Sequence, residues 1–419
     1  MYLRSKKWSV RQKPRRTNWF NVIVLLLLIA AALYVNQFVL PTVAMPFIPT
    51  PTPTVSAATY IAQAEAYFAE GKMLPAIQAY EQALKSEPTN VSIYLALART
   101  QIYAGQPEAA QQSAENALLL SPNNAIAHAL QAWALDFQGK YLEAEAAIKR
   151  ALELDPQSAL AHAIYAEILV DSYINGVGTY DGLLKAIEES RLALSLDPNM
   201  LETRRARAYV LENTTNYEEA VAEYQAAIAI NPNIADLHLG LGRSYRFLQV
   251  YDKAIEEFTR ANALNPADPT PDLLISRTYA SIGEFAKAIQ YAETAVRDDP
   301  TNTALRGNLG VLYYRNFMWP EAAEQLKLVV SGGATEDNRP IRPIPLSNDV
   351  RIAEYYYTYG LVLARLNRCS EALQIAKELL ERIPANTNAA DSAQQIQQIC
   401  LQNLSVTPTP FPLPVTPTP

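Results

Sequence analysis

Few residues in this chain could do acid–base, metal or nucleophilic chemistry. It has three histidines, His128, His162 and His238, and two cysteines, Cys369 and Cys400. His128 and His162 stand 34 residues apart, one unit of a repeat that runs through the middle of the chain. On stacked copies of one helix that separation is about one helix diameter, ~10 Å. Metal ligands sit ~2 Å from their ion. No HExxH is present, so the histidines read as packing at the edge of a core. The glycines of GVGTYDG, 176–182, are wrongly spaced for a dinucleotide loop and follow a helical stretch rather than a strand. That segment reads as a connection between helices. No GxxxxGKS or GxxxxGKT phosphate loop occurs. Glutamates and aspartates are common, but on helices they form the ordinary solvated face. These residues make no catalytic set and imply no cofactor and no metal, so the chain reads as non-enzymatic.

The elements around them are set by length, charge and hydrophobic pattern. A chain of 419 residues, 49 % of them hydrophobic, holds two or three domains or one long repeat array. It carries 35 Lys and Arg against 42 Asp and Glu, a net charge of −7. An acidic chain lacks the basic footprint that nucleic acids need. Residues 1–16 depart from this, holding seven Lys and Arg and no acid. Trp19 to Leu40 is then free of charge. As a helix its 22 residues would reach roughly 33 Å, enough for a bilayer core of ~30 Å. No Lys or Arg follows until Lys72. The expectation is a membrane helix over 19–40, with a cytoplasmic N-terminus at 1–18 and everything after it outside. A cleaved signal peptide is the alternative.

From Ala57 to about 403 the chain repeats itself. Pro88, Pro122 and Pro156 are spaced by 34, Pro198 follows after 42, and Pro232, Pro266 and Pro300 return to 34. Twelve residues before each stands an alanine: Ala76, Ala110, Ala144, Ala186, Ala220, Ala254 and Ala288. A second alanine lies five before each, from Ala83 to Ala295. A unit at 303–336 keeps Gly310 and Ala322 but loses its proline, and a last unit ends at Pro384. Each unit has two apolar runs of helical period. Small residues at fixed places let two helices approach closely, and the proline ends the second helix.

This pattern strongly resembles the tetratricopeptide repeat (TPR) family, with nine units over roughly 57–386. The resemblance implies an all-α, right-handed solenoid, in which each helical hairpin buries its apolar face on the next. Residues 387–403 read as a capping helix. The family implies a concave surface built from fixed positions of each first helix, suited to an unidentified protein or peptide. In this sequence those positions give Trp133, Arg205, Tyr209, Arg243, Arg246, Arg277, Tyr314, Arg315, Tyr357 and Arg365. Tyr209, Arg243 and Arg277 are spaced by 34 and should stack in a row. The alternative is that these arginines meet neighbours such as Glu202, Glu212 and Asp236. The family's carboxylate clamp needs an asparagine that none of the nine units has.

Cys369 opens the second helix of the ninth unit, and Cys400 lies near the end of the capping helix. Each is 15 residues from the turn at Pro384–Ala385, so two antiparallel helices bring them side by side. They read as a disulfide, with two separate thiols as the alternative. The Pro- and Thr-rich stretches 41–56 and 404–419 form no core and read as extended spacers or an O-glycosylated stalk. The expected molecule is a membrane-anchored scaffold of a bacterial-type cell envelope that binds a partner in its groove. Self-association into an envelope structure is the other reading.

Overall fold

The computed structural model describes residues 18–35, 37 and 56–405. The chain divides into two compact units, 1–55 and 56–419. The first unit contains helix α1 (Trp19–Tyr34). Here the expectation fails. The helix has 16 residues, about 24 Å at 1.5 Å per residue, short of a bilayer core of ~30 Å. Among the described residues no helix is long and apolar enough to cross a membrane. The topology drawn from such a span, with the N-terminus inside and the repeats outside, falls with it. The expected basic start, spacer and tail, at 1–18, 41–56 and 404–419, lie outside the described residues except for one or two at their edges.

The second unit is a solenoid of helical hairpins. The first five are α2 (Ala57–Ala69) with α3 (Met73–Ser86), α4 (Val91–Tyr103) with α5 (Pro107–Leu120), α6 (Ala125–Phe137) with α7 (Tyr141–Leu154), α8 (Ala159–Ile174) with α9 (Tyr180–Leu196), and α10 (Leu201–Asn213) with α11 (Tyr217–Ile230). Four more follow: α12 (Ala235–Phe247) with α13 (Tyr251–Leu264), α14 (Thr270–Ser281) with α15 (Phe285–Asp298), α16 (Thr303–Arg315) with α17 (Trp319–Ser331), and α18 (Val350–Arg365) with α19 (Cys369–Arg382). A single helix, α20 (Thr387–Ser405), closes the stack.

The repeated alanines explain the stacking. Ala76, Ala110, Ala144, Ala186, Ala220, Ala254 and Ala288 are all fully buried, as are Ala83 to Ala295 five residues before each proline. A methyl group is all that fits where two helix backbones meet. At Gly242 even that does not fit, since an added Cβ would lie 2.5 Å from the Phe258 ring.

Side chains early in the first helices tie successive hairpins together. His128, His162 and His238 each place Nε2 on the carbonyl of the proline six residues earlier, at 3.1, 3.1 and 2.9 Å. Arg204 and Arg306 do the same with Nε, at 2.8 and 3.0 Å. A carbonyl can only accept, so in the histidines Nε2 carries the proton. The histidines therefore hold hairpin to hairpin, a more specific task than packing at a core edge.

The turns inside the hairpins need a left-handed residue. Gly71, Gly105, Gly139 and Gly283 supply it with φ of 69–83°. At the same position Thr215, Gln249, Phe317 and Asn367 adopt φ of 59–63° without being glycine. The segment before α18 adds a small antiparallel pair, β1 (Gly333–Ala334) with β2 (Pro340–Ile341). Thr303 Oγ1 donates to Arg342 O at 2.7 Å and fixes this segment to α16.

The cap lies against α18 and α19 with Ala389, Ala393, Ile396 and Cys400 buried on one face. Gln394, Gln395, Gln397 and Gln398 face solvent. Cys369 and Cys400 form a disulfide, with Cα atoms 5.5 Å apart. Asn403 Nδ2 adds a bond to Ala364 O at 3.0 Å. A loop of 31 residues is thereby closed, which in the chain-entropy account stabilises by about 3–4 kcal/mol. Solenoids open from their ends. Cys400→Ser should therefore strip amide protection from α18–α20 and lower stability by roughly that amount, while hydrogen exchange in α4–α13 stays as in the parent. Unchanged exchange in α20 would show that packing alone holds the cap.

Candidate functional site

The first helices touch one another along the stack: α4 meets α6, α6 meets α8, α8 meets α10, α10 meets α12, α12 meets α14 and α16 meets α18. The second helices lie further apart. The first helices therefore line the inner face, and residues one repeat apart stand in rows across it.

In the first half of the stack that face is filled. Arg205 is buried; its Nη1 donates to both oxygens of Glu167 at 2.5 Å and its Nε to Asp236 at 2.7 Å. Trp133, only 1 % exposed, donates Nε1–H to Glu167 at 3.0 Å and lies 5.3 Å beneath the Arg205 guanidinium. Tyr209 donates its hydroxyl to Asp171. Arg243 makes a two-point pair with Glu212, Nε to Oε1 at 2.6 Å and Nη2 to Oε2 at 3.1 Å.

The closure extends to the first hairpin. Arg99 Nε reaches Glu202 at 2.6 Å, and Tyr103 donates to the same carboxylate at 3.0 Å. Phe68 packs edge-on against Tyr103, with centroids 5.6 Å apart. Asn233, in the α11–α12 turn, donates to Ala69 O at 2.9 Å. Gly71 leaves no other choice there, because a Cβ would lie 2.4 Å from Asn233 O.

Burial shapes the acidity of this network. It pushes Glu167 up to about 7 against the pull of Arg205. It also raises Asp136 and Asp171, which face each other. Burial works the same way on Asp236, but Arg205 and Arg243 outweigh it and hold that carboxyl below its usual value.

The second half differs. Arg246, Arg277, Arg315 and Arg351 line a hollow of about 350 Å³ whose only carboxylate is Glu354. Arg315 Nη2 takes Glu354 at 2.8 Å. Arg246, Arg277 and Arg351 have no ion pair among the described residues, although the hollow is built from three hairpins and a cap-bearing fourth. Arg277 Nε has Asn308 Oδ1 at 3.4 Å, and Arg246 lies 5.3 Å from the Phe247 ring with its Nε buried and unbonded. Burial, then the nearby Arg351, pushes Arg277 down to about 10. A second hollow, about 490 Å³ in volume, adjoins at Arg315 and is lined by Tyr314, Phe317, Trp319 and Arg365. Arg365 stands 5.9 Å over the Trp319 ring. Tyr357 is half-buried, and burial, then Glu354, raises its hydroxyl.

The ten residues expected on the inner face thus separate. Trp133, Arg205, Tyr209 and Arg243 are engaged by the chain's own carboxylates. Arg246, Arg277, Tyr314, Arg315, Tyr357 and Arg365 stand around or beside the two hollows. Among the described residues no group of three or more His, Cys, Asp or Glu could hold a metal ion.

Sequence profiles for the tetratricopeptide repeat match residues 67–134, 129–171, 235–268 and 273–337, and a profile for the TPR repeat matches 216–246. Together they cover more than half of the chain. The chain belongs to the tetratricopeptide repeat family. Among solved structures, one from a functional characterization of Pseudomonas aeruginosa pilF is 23 % identical. It covers 49 % of this chain and 90 % of that one, with a TM-score of 0.40. A tetratricopeptide repeat protein from Parabacteroides merdae ATCC 43184 is 15 % identical over 61 % of this chain and 98 % of that one, also with a TM-score of 0.40. Neither likeness bears on what this TPR protein binds. No curated protein matches it in sequence.

Three residues of the inner face went unseen in the sequence. Arg99 and Glu167 lie 34 residues either side of Trp133, so the same spacing could have found them. Arg351 could not be found that way, because α18 starts at Val350, one turn ahead of the repeat register.

The raised carboxyls of the filled half fix the sign of its pH dependence. A carboxyl whose folded pKa lies above its unfolded one binds more protons when folded, so its contribution to stability falls as pH rises through that interval. His162, raised by its hydrogen bond to Glu189, acts in the same sense, because its stabilisation is present below ~6.5 and lost as pH rises past its folded value. Denaturant unfolding should therefore show the protein less stable at pH 8.0 than at pH 5.5, by about 1–2 kcal/mol. Glu167→Gln should flatten that slope. Equal or greater stability at pH 8.0 would contradict the assignment.

Proposed function

We propose that this TPR protein is a non-catalytic scaffold that takes a segment of a partner protein along the second half of its inner face, between hairpins six and nine. TPR architecture is typically non-catalytic, and its repeats support protein–protein interaction. The observation that carries the finer reading is the contrast between the two halves. Carboxylates of the chain itself occupy the arginines of the first half, whereas three guanidiniums of the second half have no such partner among the described residues, beside a hollow of about 350 Å³. Arg and aromatic side chains in a partly desolvated concavity are the usual anchors of a protein interface.

A photocrosslinking amino acid placed at Asn308, between Arg277 and the hollow, tests this in cells. It should join the scaffold to a distinct protein, and the same group at the exposed Glu143 on α7 should not. Crosslinks only at position 143, or only to a second copy of the chain, would reject the reading in favour of another face or of self-association.

A further inference from the structure

The arginine hollow has a chemistry of its own. Four guanidiniums face one carboxylate in a chain whose net charge is −7. That carboxylate, Glu354, is committed to Arg315 at 2.8 Å. The next nearest acid on the same helix, Asp349, is spent as the N-cap of α18, accepting from the amides of Arg351 and Ile352 at 2.9 and 3.0 Å. Arg277 has one long contact to an amide oxygen, and the Nε of Arg246 is buried without an acceptor among the described residues. A buried donor left unmade is costly, and like charges held together repel. Both costs vanish when an anion with two or more acceptor oxygens enters.

We infer that the Arg246–Arg277–Arg351 hollow binds carboxylate side chains of an acidic peptide segment, an assignment that rests on the inner face between hairpins six and nine being the docking face. A carboxylate matches the guanidinium fork with two parallel hydrogen bonds, and Arg sites of this kind discriminate by geometry as well as by charge. The walls favour a peptide over a free ion. Val311, Leu312 and Tyr355 give the hollow an apolar side suited to the methylenes of Glu. Arg315 belongs to both hollows, so the arginine site lies next to the one lined by Tyr314, Phe317 and Trp319. A chain can occupy both at once. The segment therefore carries acidic residues followed, within a few positions, by an aromatic or aliphatic one.

Fluorescence anisotropy on the full chain, at low and at physiological salt, tests the assignment with labelled probes. A peptide of four glutamates ending in phenylalanine should bind at least tenfold more tightly than its glutamine analogue. Arg246→Gln with Arg277→Gln, and separately Arg351→Gln, should each weaken it about tenfold while the thermal melt does not fall. Arg150→Gln on the outer helix α7 should leave it as in the parent. Equal binding of the glutamate and glutamine peptides overturns the inference. So does an oligonucleotide of equal charge binding as tightly, or inorganic phosphate displacing the peptide at matched charge concentration. Crosslinking at Asn308 separates the two levels. A partner captured there without acidic-peptide binding removes this inference and leaves the docking face standing. Failure of both removes the docking face as well.

Discussion

Every feature of the inner face depends on how closely two helices can approach at the repeated alanines. A hairpin of two 13- or 14-residue helices cannot bury its apolar side alone. It does so by stacking, and close packing of the helices leaves room for a methyl group and nothing larger at the repeated alanines. The full burial of Ala76, Ala110, Ala144, Ala186, Ala220, Ala254, Ala288, Ala322 and Ala372 is the sign that this limit is met in all nine hairpins. Larger side chains there would push the hairpins apart and undo the register that aligns the first helices. The proline carbonyls held by His128, His162, His238, Arg204 and Arg306 then fix the angle between one hairpin and the next. Rows of side chains on the inner face follow from these two constraints together.

Given those rows, one spacing recurs among the arginines that are neutralised. Arg205 meets Asp236 31 residues on, and Arg243 meets Glu212 31 residues back. Arg277 also has a neighbour 31 residues on, but it is Asn308, which offers an amide oxygen in place of a charge. The position 31 before Arg246 is Thr215. At this offset the two halves differ in residue type. A carboxylate there closes the inner face, whereas an amide or a hydroxyl leaves a guanidinium facing the hollow.

The periodic part of this structure could be read directly from the sequence, because each unit repeats the same burial problem and solves it with the same residues. The nine hairpins, the cap and the Cys369–Cys400 bridge follow from that period. What departs from the period could not be read so. The apolar run from Trp19 suggested a 22-residue helix, yet α1 has 16 residues, since apolar composition alone does not fix where a helix ends. Thr215, Gln249 and Phe317 occupy the turn position that Gly71, Gly105, Gly139 and Gly283 fill in other hairpins, because the hairpin contacts impose the left-handed conformation whatever the side chain. The segment before α18 winds that helix one turn ahead of the repeat, and so carries Arg351 into the hollow without leaving a trace in the spacing. Ion-pair partners were visible only as possibilities, because the 31-residue offset that matters is a product of the three-dimensional stack.

Breaches of local rules in a folded chain tend to gather where function lives, since elsewhere nothing opposes their removal. Here Thr215, Gln249 and the unbonded Asp136 Oδ1 stand in the first part of the stack, and several more stand together at one end of the inner face. Phe317 holds a left-handed backbone, with φ of 62°, at a position that glycine would fill without strain. Its ring is 78 % exposed beside Trp319 and Arg365, so no burial offsets the cost. One hairpin earlier, Arg277 is crowded by Arg351 and Arg246, and the buried Nε of Arg246 goes unbonded. The first half of the same inner face is just as rich in charge, yet its guanidiniums at Arg205 and Arg243 are met by carboxylates. A stack whose alanines are buried from hairpin to hairpin can carry this local expense at one end of the groove. The seams between hairpins are free to stay constant from unit to unit while the groove varies, and it is in the groove that this chain keeps its unmatched charges.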